Sequence, residues 1–290
     1  MKIGFAGLGI MGGPMAGHLK RAGHQVTGFN RSPEKAKAWA EKTGGRAAES
    51  AAEAADKAEF FILCVGRDDD VREVVTEALP ATAPGAVIVD HTTTSAKIAR
   101  EMAELCAKSG RAFVDAPVSG GQAGAENGQL TVMAGGDEGA FQRSVPVLSA
   151  YSKAVTRIGG PGAGQLAKMV NQICIAGTVQ GLAEAMHFVK CSGLEPEVVY
   201  AAISKGAAQS WQMDNRWKAM TDNSFAFGFA VDWMRKDLGL LLDEARSNGA
   251  HLALAALVDQ FYSEVQALGG SRWDTSSLAV RLEDRRKPRS

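Results

Sequence analysis

The sequence predicts an α/β protein: an N-terminal doubly wound, mostly parallel sheet, an all-helical C-terminal part, and a long helix joining them. Three observations carry this. Apolar strand runs alternate with helical stretches through the first half; the breaker cluster Gly159-Gly160-Pro161-Gly162 ends the alternation; and every pattern beyond it is helical. The strand runs fall at residues 2–6, 25–29, 60–65, 86–90, 112–115 and 130–134, with a last strand-like piece at 154–158. Most are apolar throughout, as strands buried on both faces must be. Helical stretches at 14–22, 33–42, 50–55, 71–78 and 95–109 separate them. The alanine-rich stretch 47–58 reads as a surface helix. Past the breaker, residues 164–191 form a proline-free helical pattern, followed by helical stretches at 195–204, 230–248 and 252–268. The expected domains are 1–162 and 163–290, with the connecting helix over about 163–191. No internal repeat is visible.

Composition narrows the function class. The chain has 290 residues, 46% of them hydrophobic, enough for two solid cores. Its 32 basic and 32 acidic side chains balance, so no basic footprint argues for nucleic acid or an anionic membrane. No apolar run approaches a membrane span. Cys64, Cys106, Cys174 and Cys191 are scattered without metal-ligand spacing, as in a reduced protein with incidental thiols, and no metal is expected. The chain runs directly into a strand without room for a signal peptide, so a cytoplasmic location is expected. Residues 281–290 carry five basic side chains and read as a solvated tail.

The first strand runs into Gly7-Leu8-Gly9-Ile10-Met11-Gly12, a G-x-G-x-x-G motif between a strand and a helix. Gly7 allows the tight turn, Gly9 lets the backbone approach a pyrophosphate, and Gly12 lets helix and strand pack closely. The helix N-terminus then favours the diphosphate. The second strand ends in Asn30-Arg31-Ser32, where a site for unphosphorylated ribose usually shows a carboxylate. Arg31 can fork onto a 2′-phosphate, with Asn30 and Ser32 adding neutral hydrogen bonds. The expected cofactor is therefore NADP(H). Ligands bind outside the carboxyl ends of such strands, which adds Cys64 to Arg67, including Val65, and His91 to Ser95 to the expected groove. There Thr92 offers a hydroxyl near the expected nicotinamide position. A lone His91 after a strand is more often structural than catalytic.

Three further constellations stand out. In Asp115-Ala116-Pro117-Val118-Ser119-Gly120-Gly121, the Ser119-Gly120-Gly121 run presents consecutive N–H groups on an unhindered backbone, suited to a small carboxylate or to a plain surface turn. On the long helix, Lys168, Asn171 and Gln172 share a face among Leu166, Met169, Val170 and Ile173. Lys168 either snorkels outward or sits desolvated in a cleft, where its ammonium could stabilise and protonate an oxyanion. Finally, Lys236-Asp237-Leu238 opens an apolar helical run, with Trp211 and Trp233 upstream. Buried Lys–Asp pairs are often structural, and tryptophans usually belong to a core.

Taken in order, these motifs resemble those of the β-hydroxyacid dehydrogenase family, which includes 3-hydroxyisobutyrate dehydrogenase, tartronate semialdehyde reductase and the succinic semialdehyde reductases. The likeness covers nearly the whole chain: the glycine motif with Pro14-Met15, the Asp115 to Gly121 segment with Gly124-Ala125, Gly162-Ala163-Gly164 through Lys168 to Asn171, and Lys236-Asp237-Leu238. It implies a Rossmann domain, a long interdomain helix, a helical domain that often mediates homodimers or homotetramers, and an active site in the cleft between domains. It also implies roles. Lys168 matches the catalytic lysine and Asn171 the substrate-orienting asparagine; Ser119, Gly120 and Gly121 match the loop holding the substrate carboxylate. Thr92 falls on the nicotinamide side, and Lys236 close to cofactor and substrate. Asn30-Arg31-Ser32 looks like the NADP-preferring branch.

The chain departs from the pattern at three places. Gln172 stands where the family often has a second Asn, His91-Thr92 replaces a Ser-Thr pair, and Val65-Gly66-Arg67 replaces a Leu-Pro loop. These leave the fold and cofactor expectations alone and blur the substrate, whose distal pocket Arg67, Gln209, Trp211 and Asn215 could shape by chain position. The expected activity is hydride transfer between NADP(H) and a small hydroxy acid or its semialdehyde, with Lys168 as general acid/base. The alternative is a non-catalytic NADP-binding scaffold or sensor, a class that lacks the catalytic lysine. A decarboxylase like 6-phosphogluconate dehydrogenase would show Lys-x-x-His-Asn, whereas Lys168 precedes Met169-Val170-Asn171-Gln172. An imine reductase would usually replace the lysine.

Overall fold

The computed structural model describes residues 1–284. It divides into two compact units, Met1–Lys168 and Met169–Ser290. The first begins with the alternating elements β1 (Lys2–Ala6), α1 (Gly12–Arg21), β2 (Gln25–Phe29), α2 (Pro33–Thr43), β3 (Arg46–Ala48), α3 (Ala51–Ala55), β4 (Phe60–Leu63), α4 (Asp68–Ala78), β5 (Val87–Asp90), α5 (Ala96–Lys108) and β6 (Ala112–Asp115). It continues through β7 (Val118–Ser119), α6 (Gly121–Glu126), β8 (Leu130–Gly136), α7 (Glu138–Leu148) and β9 (Ser152–Gly159) to the start of α8 (Ala163–Cys191). The strands form one sheet in the order β3-β2-β1-β4-β5-β6-β8-β7, with β9 alongside β8. From β3 to β6 every pairing is parallel; β8 runs antiparallel to β6 and β7. The chain leaves β1 to one side for β2 and returns to the other for β4, so the topological switch point lies between β1 and β4.

The continuous apolar strands have the expected cause. Phe60 and Ile62 of β4 and Val87 and Val89 of β5 face one core with Met15, Ala16 and Leu19 of α1. Phe61, Leu63 and Ile88 face the other, with Val71 and Val75 of α4 and Ile98, Ala99 and Met102 of α5. The period-two alternation is present, but both faces are buried. Residues 47–58 are not a surface helix. Ala48 ends β3, and Ala51, Ala54 and Ala55 are buried in the second core, where small side chains let a short helix lie close to the sheet; Ala58 after it is buried too. Helix α4 starts before the expected position 71, because Asp68, Asp69 and Asp70 supply the negative first turn that helix N-termini favour. Helices α6 and α7 stand where no helix was expected; Pro146 inside α7 masks its pattern.

The second unit contains the rest of α8, then α9 (Pro196–Ile203), α10 (Trp211–Asp222), α11 (Val231–Asn248), α12 (Ala253–Ala267) and α13 (Leu278–Asp284), with no strand longer than an isolated bridge among the described residues. Its core is built from Met213, Trp217 and Met220 of α10, Met234, Leu238 and Leu241 of α11, and Val258, Tyr262 and Val265 of α12. The expected basic tail is corrected at its first residue. Arg281 is buried, stacked 3.7 Å from the Phe261 ring centroid and paired with Glu264; the tail's other basic residues lie outside the described residues. No described helix is long and apolar enough to cross a membrane.

Candidate active site

The glycine motif turns from β1 into α1 at the switch point. Gly7 has φ +93°, a left-handed conformation that suits glycine, and its N–H bonds the Phe29 carbonyl. A Cβ on Gly12 would lie 1.8 Å from the Gly7 carbonyl oxygen, so only glycine lets α1 start there. A Cβ on Gly9 would meet nothing within 4 Å: this backbone faces open space. Helix α1 has no capping side chain and no acid in its first turn. That is the cradle a diphosphate requires, so these residues fit a dinucleotide. Leu8 is buried, and its N–H bonds Asn30 Oδ1 at 3.0 Å, tying the turn to the end of β2; Ile10 is exposed, and Met11 is the residue before α1. Asn30 also donates to the Ser32 carbonyl. Ser32 precedes α2 without its hydroxyl capping that helix. The Arg31 side chain is 88% exposed and reaches Asp70 Oδ1 at 3.3 Å.

Across the switch point, the Val65 N–H donates to Thr92 Oγ1 and the Thr92 N–H to Asp90 Oδ1. Thr92 is buried and braces the turn after β4. His91 is structural. A carbonyl can only accept, so Nδ1–H donates to the Ala116 carbonyl at 2.6 Å and Nε2 accepts from the Tyr151 hydroxyl at 2.8 Å. Burial pushes its pKa down to about 4, against the pull of the Ala116 bond.

The first two turns of α8 are seated on these loops by two residues to which the sequence reading gave no role. Asp115 takes the Gly162 N–H on Oδ1 and the Gln165 N–H on Oδ2. Burial raises its pKa to about 6, and the backbone N–H groups hold it back from rising further. Gln165, fully buried, accepts from the Thr94 N–H and donates to the Thr92 carbonyl. These bonds also explain why the first unit ends inside α8, beyond the breaker cluster where sequence placed the boundary. Lys168 follows one turn after Gln165. It is buried, 8% exposed, and its Nζ donates to the Val118 carbonyl at 2.9 Å, beside Ser119. Gly120 and Gly121 have φ of +130° and +61° and open α6 rather than an extended loop.

In the second unit, four residues are joined by two hydrogen bonds and an ion pair. Asn171 Nδ2 donates to Gln172 Oε1, Gln172 Nε2 donates to Asp237 Oδ2, and Lys236 Nζ lies 3.2 Å from Asp237 Oδ1 and over the Trp233 ring. Asn171 and Lys236 are thereby linked, through residues whose sequence spacing does not announce the contact. Trp211 and Trp233 are not core residues: Trp211 is 56% exposed and stacks on Arg216, and Trp233 is partly exposed beneath Lys236.

Comparison with known proteins agrees with this geometry. The family model for the NAD binding domain of 6-phosphogluconate dehydrogenase matches residues 2–160, and that for the NAD-binding of NADP-dependent 3-hydroxyisobutyrate dehydrogenase matches residues 162–282. An uncharacterised oxidoreductase of Shewanella frigidimarina is 59% identical over 98% of this chain and 99% of its own length. The 2-hydroxy-3-oxopropionate reductase of Escherichia coli is 34% identical, over 98% of this chain and 97% of its own. Among solved structures, Mycobacterium tuberculosis 3-hydroxyisobutyrate dehydrogenase with L-serine superimposes with a TM-score of 0.89 at 32% identity, covering 98% of this chain and 99% of that one. With its glycine cradle, its lysine on α8 and these matches along its length, the chain belongs to the β-hydroxyacid dehydrogenase family, oxidoreductases that act on hydroxy acids with a nicotinamide cofactor.

Proposed function

We propose that this chain is an NADP(H)-dependent dehydrogenase or reductase of a small hydroxy acid or its semialdehyde, of the 3-hydroxyisobutyrate, tartronate semialdehyde or succinic semialdehyde type. The observation that carries the reading is Lys168: a buried ammonium aimed by the Val118 carbonyl and set beside the Ser119-Gly120-Gly121 turn. When bound, the nicotinamide supplies or accepts the hydride. Lys168 stabilises the carbonyl oxygen and gives it a proton in reduction; as the neutral amine it takes that proton back in oxidation. In this reading Ser119, Gly120 and Gly121 hold the substrate carboxylate. Asn171, with its amide fixed by Gln172, orients the substrate, and Lys236, paired with Asp237, serves cofactor and substrate.

Arg31, with no carboxylate at the end of β2, supports NADP(H), as does the match of residues 162–282 to a family model described for NADP-dependent 3-hydroxyisobutyrate dehydrogenase. The four free cysteines agree with a cytoplasmic enzyme. The apolar α9, which buries none of its residues, suits a homodimer or homotetramer.

The decisive experiment is a panel of semialdehydes and hydroxy acids run with NADPH and NADH, on wild type and Lys168→Ala. The variant should bind NADPH normally and lose about 10²- to 10⁴-fold in turnover. Undiminished turnover refutes the role of Lys168, and a strong NADH preference refutes the cofactor assignment.

A further inference from the structure

Asp70 stands in the first turn of α4, and its two carboxylate oxygens serve different partners. Oδ2 accepts the Arg67 N–H at 3.0 Å, which fixes the carboxylate to the start of its own helix. Gly66 packs against it so closely that a Cβ there would lie 2.4 Å from Oδ2. Oδ1 faces the Arg31 guanidinium at 3.3 Å. The other two acids of this turn point elsewhere, Asp68 to Ser95 and Asp69 to Arg72. A fixed negative charge therefore stands against the residue assigned to the cofactor's 2′-phosphate.

We propose that Asp70 is a specificity-determining residue of the cofactor site: its carboxylate opposes the 2′-phosphate and so narrows the preference for NADPH over NADH that Arg31 creates. The proposal rests on the cofactor reading above. Its sign follows from comparing two effects. As a tether for Arg31 the contact is weak, because exposed ion pairs contribute little and the Arg31 side chain is almost wholly in water. As a repulsion it is larger. A phosphate on the Arg31 guanidinium carries up to two negative charges within about 7 Å of Oδ1, worth about threefold to tenfold in affinity at a screened surface. NADH has no group there and is indifferent to Asp70.

The test is Asp70→Asn, which keeps an oxygen for the Arg67 N–H and removes the charge, with Asp70→Gln, a neutral residue that can also reach back from this third helical position, in case the first disturbs α4. Dissociation constants for NADPH and NADH are measured by cofactor fluorescence on the full-length protein, for wild type, both variants and Arg31→Ala, at low salt and at about 0.5 M salt. NADPH should bind about threefold to tenfold more tightly to both Asp70 variants, NADH should change less than about twofold, and the gain should shrink at high salt. Unchanged or weaker NADPH binding overturns the proposal, as does an equal gain for both cofactors. If Arg31→Ala leaves NADPH affinity unchanged, the cofactor reading and this proposal fall together. If Arg31→Ala weakens NADPH while neither Asp70 variant strengthens it, the proposal alone falls.

Discussion

Two adjacent buried groups in the first unit titrate abnormally in opposite directions, and removing either should expose the other. Asp115 keeps its proton up to about pH 6 in the folded chain, against an ordinary value of 3.8. Between those values the folded state holds a proton that the unfolded state has lost. Its stabilising contribution is therefore complete below pH 3.8 and lost as pH rises through 6. At about 1.36 kcal/mol per tenfold, the swing is about 3 kcal/mol. His91 runs the other way. It stays neutral down to about pH 4 rather than 6.5, so its contribution is complete above 6.5 and lost as pH falls through 4. That swing is again about 3 kcal/mol. Across pH 4 to 6 the two slopes cancel in the wild type. Asp115→Asn removes one. It leaves one of two buried N–H groups without a good acceptor, a pH-independent cost of about 1–3 kcal/mol. Urea unfolding of variant and wild type from about pH 4 to about pH 7 should show the variant less stable in acid, with the gap closing by about 3 kcal/mol at neutrality. His91→Asn should show the mirror image, losing ground as pH rises. A variant-minus-wild-type difference that stays flat over this window refutes the reasoning, because it would mean that the folded environment does not move these groups.

Three other outcomes follow from local geometry. Gly12→Ala should cost about 3 kcal/mol or more, because its Cβ would lie 1.8 Å from a backbone oxygen; Gly9→Ala should leave the melting temperature almost unchanged while weakening NADPH binding about tenfold or more, because its Cβ enters only the open cradle. Thermal shift and cofactor titration separate the two. Asp274→Ala should destabilise the second unit by about 3–5 kcal/mol in urea unfolding, since it strands the Arg216 charge and the Phe229 and Ser276 N–H groups that this fully buried carboxylate serves. Arg31→Asp should weaken NADPH by about tenfold to a hundredfold and leave NADH within about threefold in the same titrations, because it places a carboxylate where the 2′-phosphate is proposed to sit.

What could be read from sequence was what repeats locally. The strands of the parallel sheet showed because Phe60 to Leu63 must satisfy two cores at once, and a run of four apolar residues has no other economical use. The glycine turn showed because its three constraints lie within one short motif, and Lys168 with Asn171 because one helical turn separates them. Helix α10 was missed although Met213, Trp217 and Met220 mark its buried face and Ser210 caps it through the Met213 N–H, since polar residues fill the positions between. The contacts that organise the candidate site are of another kind. Asp115 with Gln165, Gln172 with Asp237, and Arg31 with Asp70 each join residues far apart in the chain, and each involves polar atoms, which carry no periodic signal. A motif can name the residue that does chemistry, but the carboxylates and amides that hold it are chosen by the fold. Gln172 shows the difference: against the family's motif it is a departure from an asparagine, yet its longer side chain accepts from Asn171 while donating to Asp237, so the amide reaches far enough to keep Asn171 tied to the carboxylate that pairs with Lys236.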